Sequence, residues 1–211
     1  TFTAKVIGVD PKTDLALLKV KDDEVKFPFV ELELQSEPRV GDWVLAVGNP
    51  YGLGGTVTAG IVSARGRDLN NSTYNDFLQI DAPVNRGNSG GPTFDLSGRV
   101  IGVNTAIYSP SGGSIGIGFA IPAETVSRVV SQLKADGQVT RGYIGVQIQP
   151  VTDDIADSIG LKKASGALIA DVTKGGPAAK AGLQSGDAIT AVNGKEVADS
   201  RELARAIADV K

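Results

Sequence analysis

The chain has 211 residues, 41% hydrophobic and 21% charged with a net charge of −3, the balance of an ordinary globular protein and not of a disordered one. No apolar run approaches the roughly 18 residues of a membrane-spanning helix, and the acidic balance leaves no basic footprint for nucleic acid. There is no cysteine, which excludes disulfides and thiolate zinc sites, and no histidine, the commonest general base and a frequent metal ligand.

In chain order, short β-branched runs punctuated by Gly and Pro predict strands over 2–9, 14–20, 43–48, 56–64, 77–82, 99–107 and 116–121. This spacing suits an antiparallel barrel better than alternating βαβ units. Nothing before the first strand resembles a signal peptide, so the chain is expected to begin inside a domain. A helix follows over 123–136, with Val126, Val129, Val130 and Leu133 at helical spacing, Pro122 before it and Gly137 placed to end it. The strand pattern restarts after Arg141, which divides the chain near 138–141 into expected domains 1–138 and 139–211. The second domain reads as a short helix near 153–159, a Gly/Pro/Ala stretch at 175–183 and a strand over 187–192. A tight turn at Asn193-Gly194 follows, then a helix capped by Ser200 with Leu203, Ile207 and Val210 on one face.

The most informative stretch is Gly87-Asn88-Ser89-Gly90-Gly91-Pro92. Acyl transfer needs a hydroxyl on a tight turn beside backbone N–H groups that stabilise a developing oxyanion, and flanking glycines permit both. A Gly-rich turn around an ordinary serine is the plain alternative, but Asp81-Ala-Pro-Val-Asn-Arg leads into this turn and Gly98-Arg-Val-Ile-Gly-Val leaves it as a strand. The run Gly48-Asn-Pro-Tyr-Gly-Leu-Gly-Gly invites comparison with a phosphate loop. No Gly-Lys-Ser/Thr follows it and no βαβ unit surrounds it, so a nucleotide role is disfavoured.

The nucleophile turn, together with Asp10-Pro-Lys-Thr-Asp14-Leu-Ala-Leu-Leu-Lys and Gly48-Asn-Pro-Tyr-Gly-Leu, resembles the HtrA (Deg/Do-like) family of serine proteases along essentially the whole chain. The resemblance implies a mainly β, trypsin-like barrel core, with Ser89 as nucleophile and Asp14 as the aspartate that orients a base. It also implies an oxyanion hole at Gly87, Asn88 and Ser89, formed by the amides of Gly87 and Ser89. The family's order is His, Asp, Ser, so its histidine is expected before Thr1, outside this chain, and the protease core is expected to be partial at its N-terminus. A Ser–Lys pair is the alternative, against which Lys5, Lys12, Lys19, Lys21 and Lys26 all lie in polar contexts. The stretch from Ile107 to Ile121 matches the family's loop for one wall of the primary pocket. With Val84 opposite and no acidic residue among Val84, Ile107 and Ile117, the pocket is expected to take small or medium aliphatic side chains. Barrel-core packing is the competing reading, for Ile117 above all.

Gly176-Pro-Ala-Ala-Lys-Ala-Gly-Leu-Gln-Ser-Gly-Asp-Ala-Ile and Val192-Asn-Gly resemble the PDZ domains of bacterial proteases. The resemblance makes Arg141, Tyr143, Ile144, Gly145 and Val146 the peptide-binding loop, whose amides receive a terminal carboxylate while the next strand pairs with the peptide. Core packing is the alternative for Tyr143, Ile144 and Val146. The module is expected to lack its final strands. The family further implies unfolded polypeptides as substrates, no metal or other cofactor, a periplasmic or envelope location, and a homotrimer or larger assembly. A binding protein without catalysis, either a chaperone or a peptide binder, is the rival reading, and the absent histidine is what favours it.

Overall fold

The computed structural model describes residues 2–22, 24–69, 74 and 76–210. They form two compact units, Thr1–Val139 and Thr140–Lys211.

The first unit opens with a hairpin of β1 (Ala4–Asp10) and β2 (Leu15–Val20), antiparallel with Asp10 opposite Leu15 and a bulge between Val6 and Gly8. Strand β2 begins one residue later than the sequence suggests because Asp14 is left-handed, with φ 58°. A closed barrel follows, made of β3 (Trp43–Gly48), β4 (Thr56–Arg67), β5 (Phe77–Ile80), β6 (Pro92–Phe94), β7 (Val100–Ile107) and β8 (Gly118–Pro122). Its strand order is β3-β4-β5-β8-β7-β6, and β6 closes on β3 through Leu45 opposite Phe94 and Ala46 opposite Thr93. Alternation places Val44 and Ala46 inside and Trp43 outside. The barrel is filled by those two residues with Val62, Leu78, Ile80, Ala82, Val84, Ile101 and Ala120.

Helix α1 (Ala123–Asp136) buries Val126, Val129 and Leu133, and Gly137 at φ 72° ends it by donating its amide to the Leu133 carbonyl at 3.0 Å. A Cβ on Gly8 of β1 would stand 2.3 Å from the Gly137 carbonyl oxygen, so glycine there lets the hairpin approach the end of α1. Leu133 is fully buried, and trimming it to Ala is worth about 2–5 kcal/mol.

In the second unit β9 (Val146–Pro150), β10 (Ala167–Val172) and β11 (Ala188–Ile189) pair in the order β11-β10-β9, which leaves β9 at an edge. Short helices α2 (Asp153–Ser158) and α3 (Pro177–Lys180) flank β10 in sequence, and β12 (Ala191–Val192) turns through Asn193-Gly194 into β13 (Lys195–Glu196). The strand expected over 187–192 is thus divided between two sheets, and β10 is a strand that periodicity did not single out. Helix α4 (Ser200–Ala208) is capped by Asp199, not by Ser200. The Asp199 carboxylate accepts the amides of Arg201 and Glu202 at 2.9 and 2.8 Å, and Glu202 returns to the Ala198 amide at 2.7 Å. Two acidic groups on the first turn satisfy more orphan donors than one hydroxyl would, and they complement the helix dipole. Leu203 packs with Ala167 and Val197 to close the core.

Candidate active site

The turn carrying Ser89 is shaped by glycine and held from two sides. Gly87 has φ 104°, and a Cβ there would lie 2.3 Å from the Asn49 carbonyl oxygen, so only glycine fits without movement. The 49–51 segment clasps the turn, with Asn49 and Tyr51 amides donating to the Gly87 and Arg86 carbonyls at 3.1 and 2.8 Å. On the other side the Gly90 amide donates to the Asn104 carbonyl, and the Asn104 amide returns to the Gly91 carbonyl, both at 2.8 Å. Asn104 is itself buried in β7, where its Oδ1 accepts from Thr93 Oγ1 at 2.7 Å.

Ser89 is exposed, and its Oγ donates to the Thr105 carbonyl at 2.9 Å. The Thr105 side chain points to the other candidate, since its Oγ1 donates to Asp14 Oδ2 at 2.5 Å. Asp14 follows a buried turn in which Thr13 Oγ1 donates to Asp10 Oδ2 at 2.6 Å. One residue of β7 therefore touches both Ser89 and Asp14, which lie 75 positions apart. Sequence reasoning missed it, although Asn104-Thr105 is a polar pair inside an otherwise apolar strand.

The three oxyanion candidates differ in their surroundings. The Asn88 amide is committed to the Asn85 carbonyl at 3.0 Å, and its side chain is buried, with an Oδ1 that finds no partner among the described residues. The amides of Gly87 and Ser89 donate to no other described residue. Of the pocket candidates, Val84 is only 1% exposed in the barrel core and Ile107 packs against the same cluster. Ile117 joins a different cluster around Phe77 and Phe119. The Val84 side chain is thus closed inside the barrel and does not line an open surface here. A cavity of about 320 Å³ in this unit, lined by Glu33, Arg65, Asp76 and Glu124 among others, includes none of Asp14, Ser89 or Thr105. Its Glu33 carboxyl is held below the usual range, first by the Gln35 amide, against a smaller opposing effect of burial.

In the second unit Gly145 takes φ 77°, and the carbonyls of Ile144 and Gly145 accept the amides of Ala178 and Thr173 at 2.8 and 2.9 Å. With those carbonyls tied back, the amides of Tyr143, Ile144 and Gly145 donate to no described residue, an arrangement suited to an anion. Tyr143 is exposed and its hydroxyl lies 3.4 Å from Thr173 Oγ1. Ile144 and Val146 are half-buried, and the Gly142 amide donates to the Ala208 carbonyl at 3.1 Å, which sets α4 beside this loop. Arg141 precedes the loop and is also half-buried.

Residues 1–103 match the model of the trypsin-like peptidase domain, and residues 142–211 that of the PDZ domain. A probable periplasmic serine endoprotease, DegP-like, from Bartonella henselae is 65% identical over 209 residues, 99% of this chain and 41% of the relative. Its counterpart from Rhizobium meliloti is 60% identical over 99% of this chain and 41% of its own length. The chain thus spans about two fifths of the curated relatives it matches. Among solved structures, an HtrA-type protease AlgW with a tripeptide is 45% identical with a TM-score of 0.86, covering 99% of this chain and 69% of that one. The serine endoprotease from Yersinia pestis is 39% identical with a TM-score of 0.68, covering 99% of this chain and 66% of that one.

Proposed function

The chain belongs to the HtrA family of trypsin-like, PDZ-bearing serine proteases, and from that premise we propose that it carries the nucleophile and the peptide-recognition module of a serine endopeptidase. Ser89 Oγ attacks the scissile carbonyl carbon, and a histidine supplied from outside these 211 residues takes its proton and later passes it to the leaving amine. Asp14 orients that histidine and stabilises its charged form. The amides of Gly87 and Ser89 face the oxygen that gains charge, and their lack of other partners supports that role. The observation that carries the reading is Thr105, which touches the serine with its carbonyl and the aspartate with its hydroxyl.

In the second unit, a peptide's terminal carboxylate enters the amides of Tyr143 to Gly145, and its backbone extends along the free edge of β9. The substrates are unfolded polypeptides, and the location is the periplasm or cell envelope, which the periplasmic serine endoproteases among the relatives support. The assembly is a homotrimer or a larger homo-oligomer. Trp43 and Val57 support this, as apolar residues more than half exposed on the barrel's outer face.

A non-catalytic peptide binder is the second reading, and the observation in its favour is the absence of histidine from the chain. Casein hydrolysis by the full-length protein and by its Ser89→Ala variant decides between them. Hydrolysis that disappears with Ser89→Ala supports the enzyme, and equal activity of the two ends the reading.

A further inference from the structure

The 107–118 segment between β7 and β8 is rich in glycine, with Gly112 and Gly116 at φ 85° and 82°, and such a segment has much conformational freedom to lose. Most of its hydrogen bonds stay within it. Tyr108 donates its amide to the Ile117 carbonyl at 3.0 Å, and the Ser109 hydroxyl accepts the amides of Ser111 and Gly112 at 3.3 and 2.8 Å. Among the described residues one bond leaves the segment between its ends, from the Ser114 amide to Asn85 Oδ1 at 2.8 Å across 29 positions. The same Asn85 accepts the Asn88 amide on its backbone carbonyl at 3.0 Å, closing the turn that presents Ser89 and the Gly87 amide. Its neighbour Val84 lies against β8, where a Cβ on Gly118 would meet Val84 Cγ2 at 3.1 Å.

We propose that Asn85 is a positioning residue that anchors the 107–118 segment to the nucleophile turn, so that the wall of the substrate pocket is held in register with the turn that carries Ser89. The inference rests on the protease reading above. The chemistry is simple: the side-chain oxygen holds the wall, the main-chain oxygen holds the turn, and one residue carries both. Loss of the side-chain acceptor frees the wall and leaves the turn's own bond in place. The effect therefore falls on the choice of substrate side chain and on KM before it falls on the rate of acylation.

The test compares Asn85→Ala with Asn85→Asp in the full-length protein, on peptides that differ only by Ala, Val or Leu before the scissile bond. An aspartate keeps an acceptor for the Ser114 amide and an alanine does not. Asn85→Ala is expected to lower kcat/KM by roughly 3- to 10-fold for the preferred peptide and to flatten the preference among the three. Asn85→Asp is expected to restore the preference. Amide exchange in the 211-residue chain gives a readout independent of activity: Ser114 loses protection in Asn85→Ala and recovers it in Asn85→Asp. An active wild type whose Asn85→Ala variant keeps the same preference and the same Ser114 protection overturns the coupling alone. A fall in activity equal for all three peptides also overturns it, since a general structural defect would do the same. A full-length wild type that cleaves nothing overturns the protease reading, and this inference with it.

Discussion

Thr105 Oγ1 donates to Asp14 Oδ2 while the Thr105 carbonyl receives the hydrogen of Ser89 Oγ, so a single residue of β7 spans the two candidate members of the catalytic apparatus. Asp14 sits at φ 58°, a conformation uncommon for residues other than glycine, and the bond from Thr105 holds its carboxylate in a fixed direction. Thr105→Val removes the donor at nearly constant volume. It is expected to lower kcat of the full-length protein about 10-fold, in keeping with one hydrogen bond to a charged group. Thr105→Ser is expected to recover most of the loss, and steady-state kinetics on a peptide substrate checks both.

The 211-residue chain alone is expected not to react with a fluorophosphonate probe, because it contains no histidine to activate Ser89. Mass spectrometry of the treated chain settles the point, and appreciable labelling at Ser89 would show that another group, such as a lysine, takes the proton.

In the full-length protein Asp14→Asn is expected to cost up to about 10⁴ in kcat while the fold is kept. Circular dichroism and kinetics on the same preparation separate the two effects. A loss below about tenfold would remove Asp14 from the role of orienting the base.

Cleavage is expected after Val, Ala, Ile or similar residues, because the 107–121 segment, which the family resemblance makes a pocket wall, contains no acidic residue, although the Val84 side chain itself is closed inside the barrel. A methylene in such a pocket is worth about 1–3 kcal/mol, so the preference should be broad. Product mapping that finds mainly Lys or Arg before the cut would contradict it.

The turn that carries Ser89 offers a matched pair of stability measurements. Gly87→Ala places a methyl group 2.3 Å from the Asn49 carbonyl oxygen, whereas Gly90→Ala, at φ 82°, meets nothing within 4 Å. Gly90→Ala is expected to cost about 1–2 kcal/mol from backbone conformation alone. Gly87→Ala should cost clearly more, with the clash added. Denaturant midpoints of the two variants should differ in that order.

For the second unit, calorimetry with an extended peptide ending in free Val is expected to show binding that weakens markedly on amidation, since the amides of Tyr143 to Gly145 then lose their anion. A terminal Asp should weaken binding too, by placing a second charge beside the half-buried Ile144 and Val146. Equal affinity for free-acid and amidated peptides would make Arg141 to Val146 simply the entry to a strand.

Local chemistry was enough to read the mainly β class, helix α1 between Pro122 and Gly137, and the distinctive run around Ser89. Periodicity, proline and glycine act over a few residues, and so do the backbone demands of a nucleophile turn. The edges of elements were less legible. Asp199 caps α4 in place of its neighbour Ser200 because it reaches two amides, and the 187–192 run divides because its two ends pair with different partners. The strand β10 carried a signal, the apolar run Ala167 to Ala170, but its shortness and lack of alternation hid it. What no local pattern contains is contact across long separations. Closure of β6 onto β3, Thr105 between Asp14 and Ser89, and the Ser114 amide on Asn85 each depend on which strands become neighbours. That choice is made by burying one face of every strand in a common core, so tertiary structure alone decided which polar groups meet at its rim.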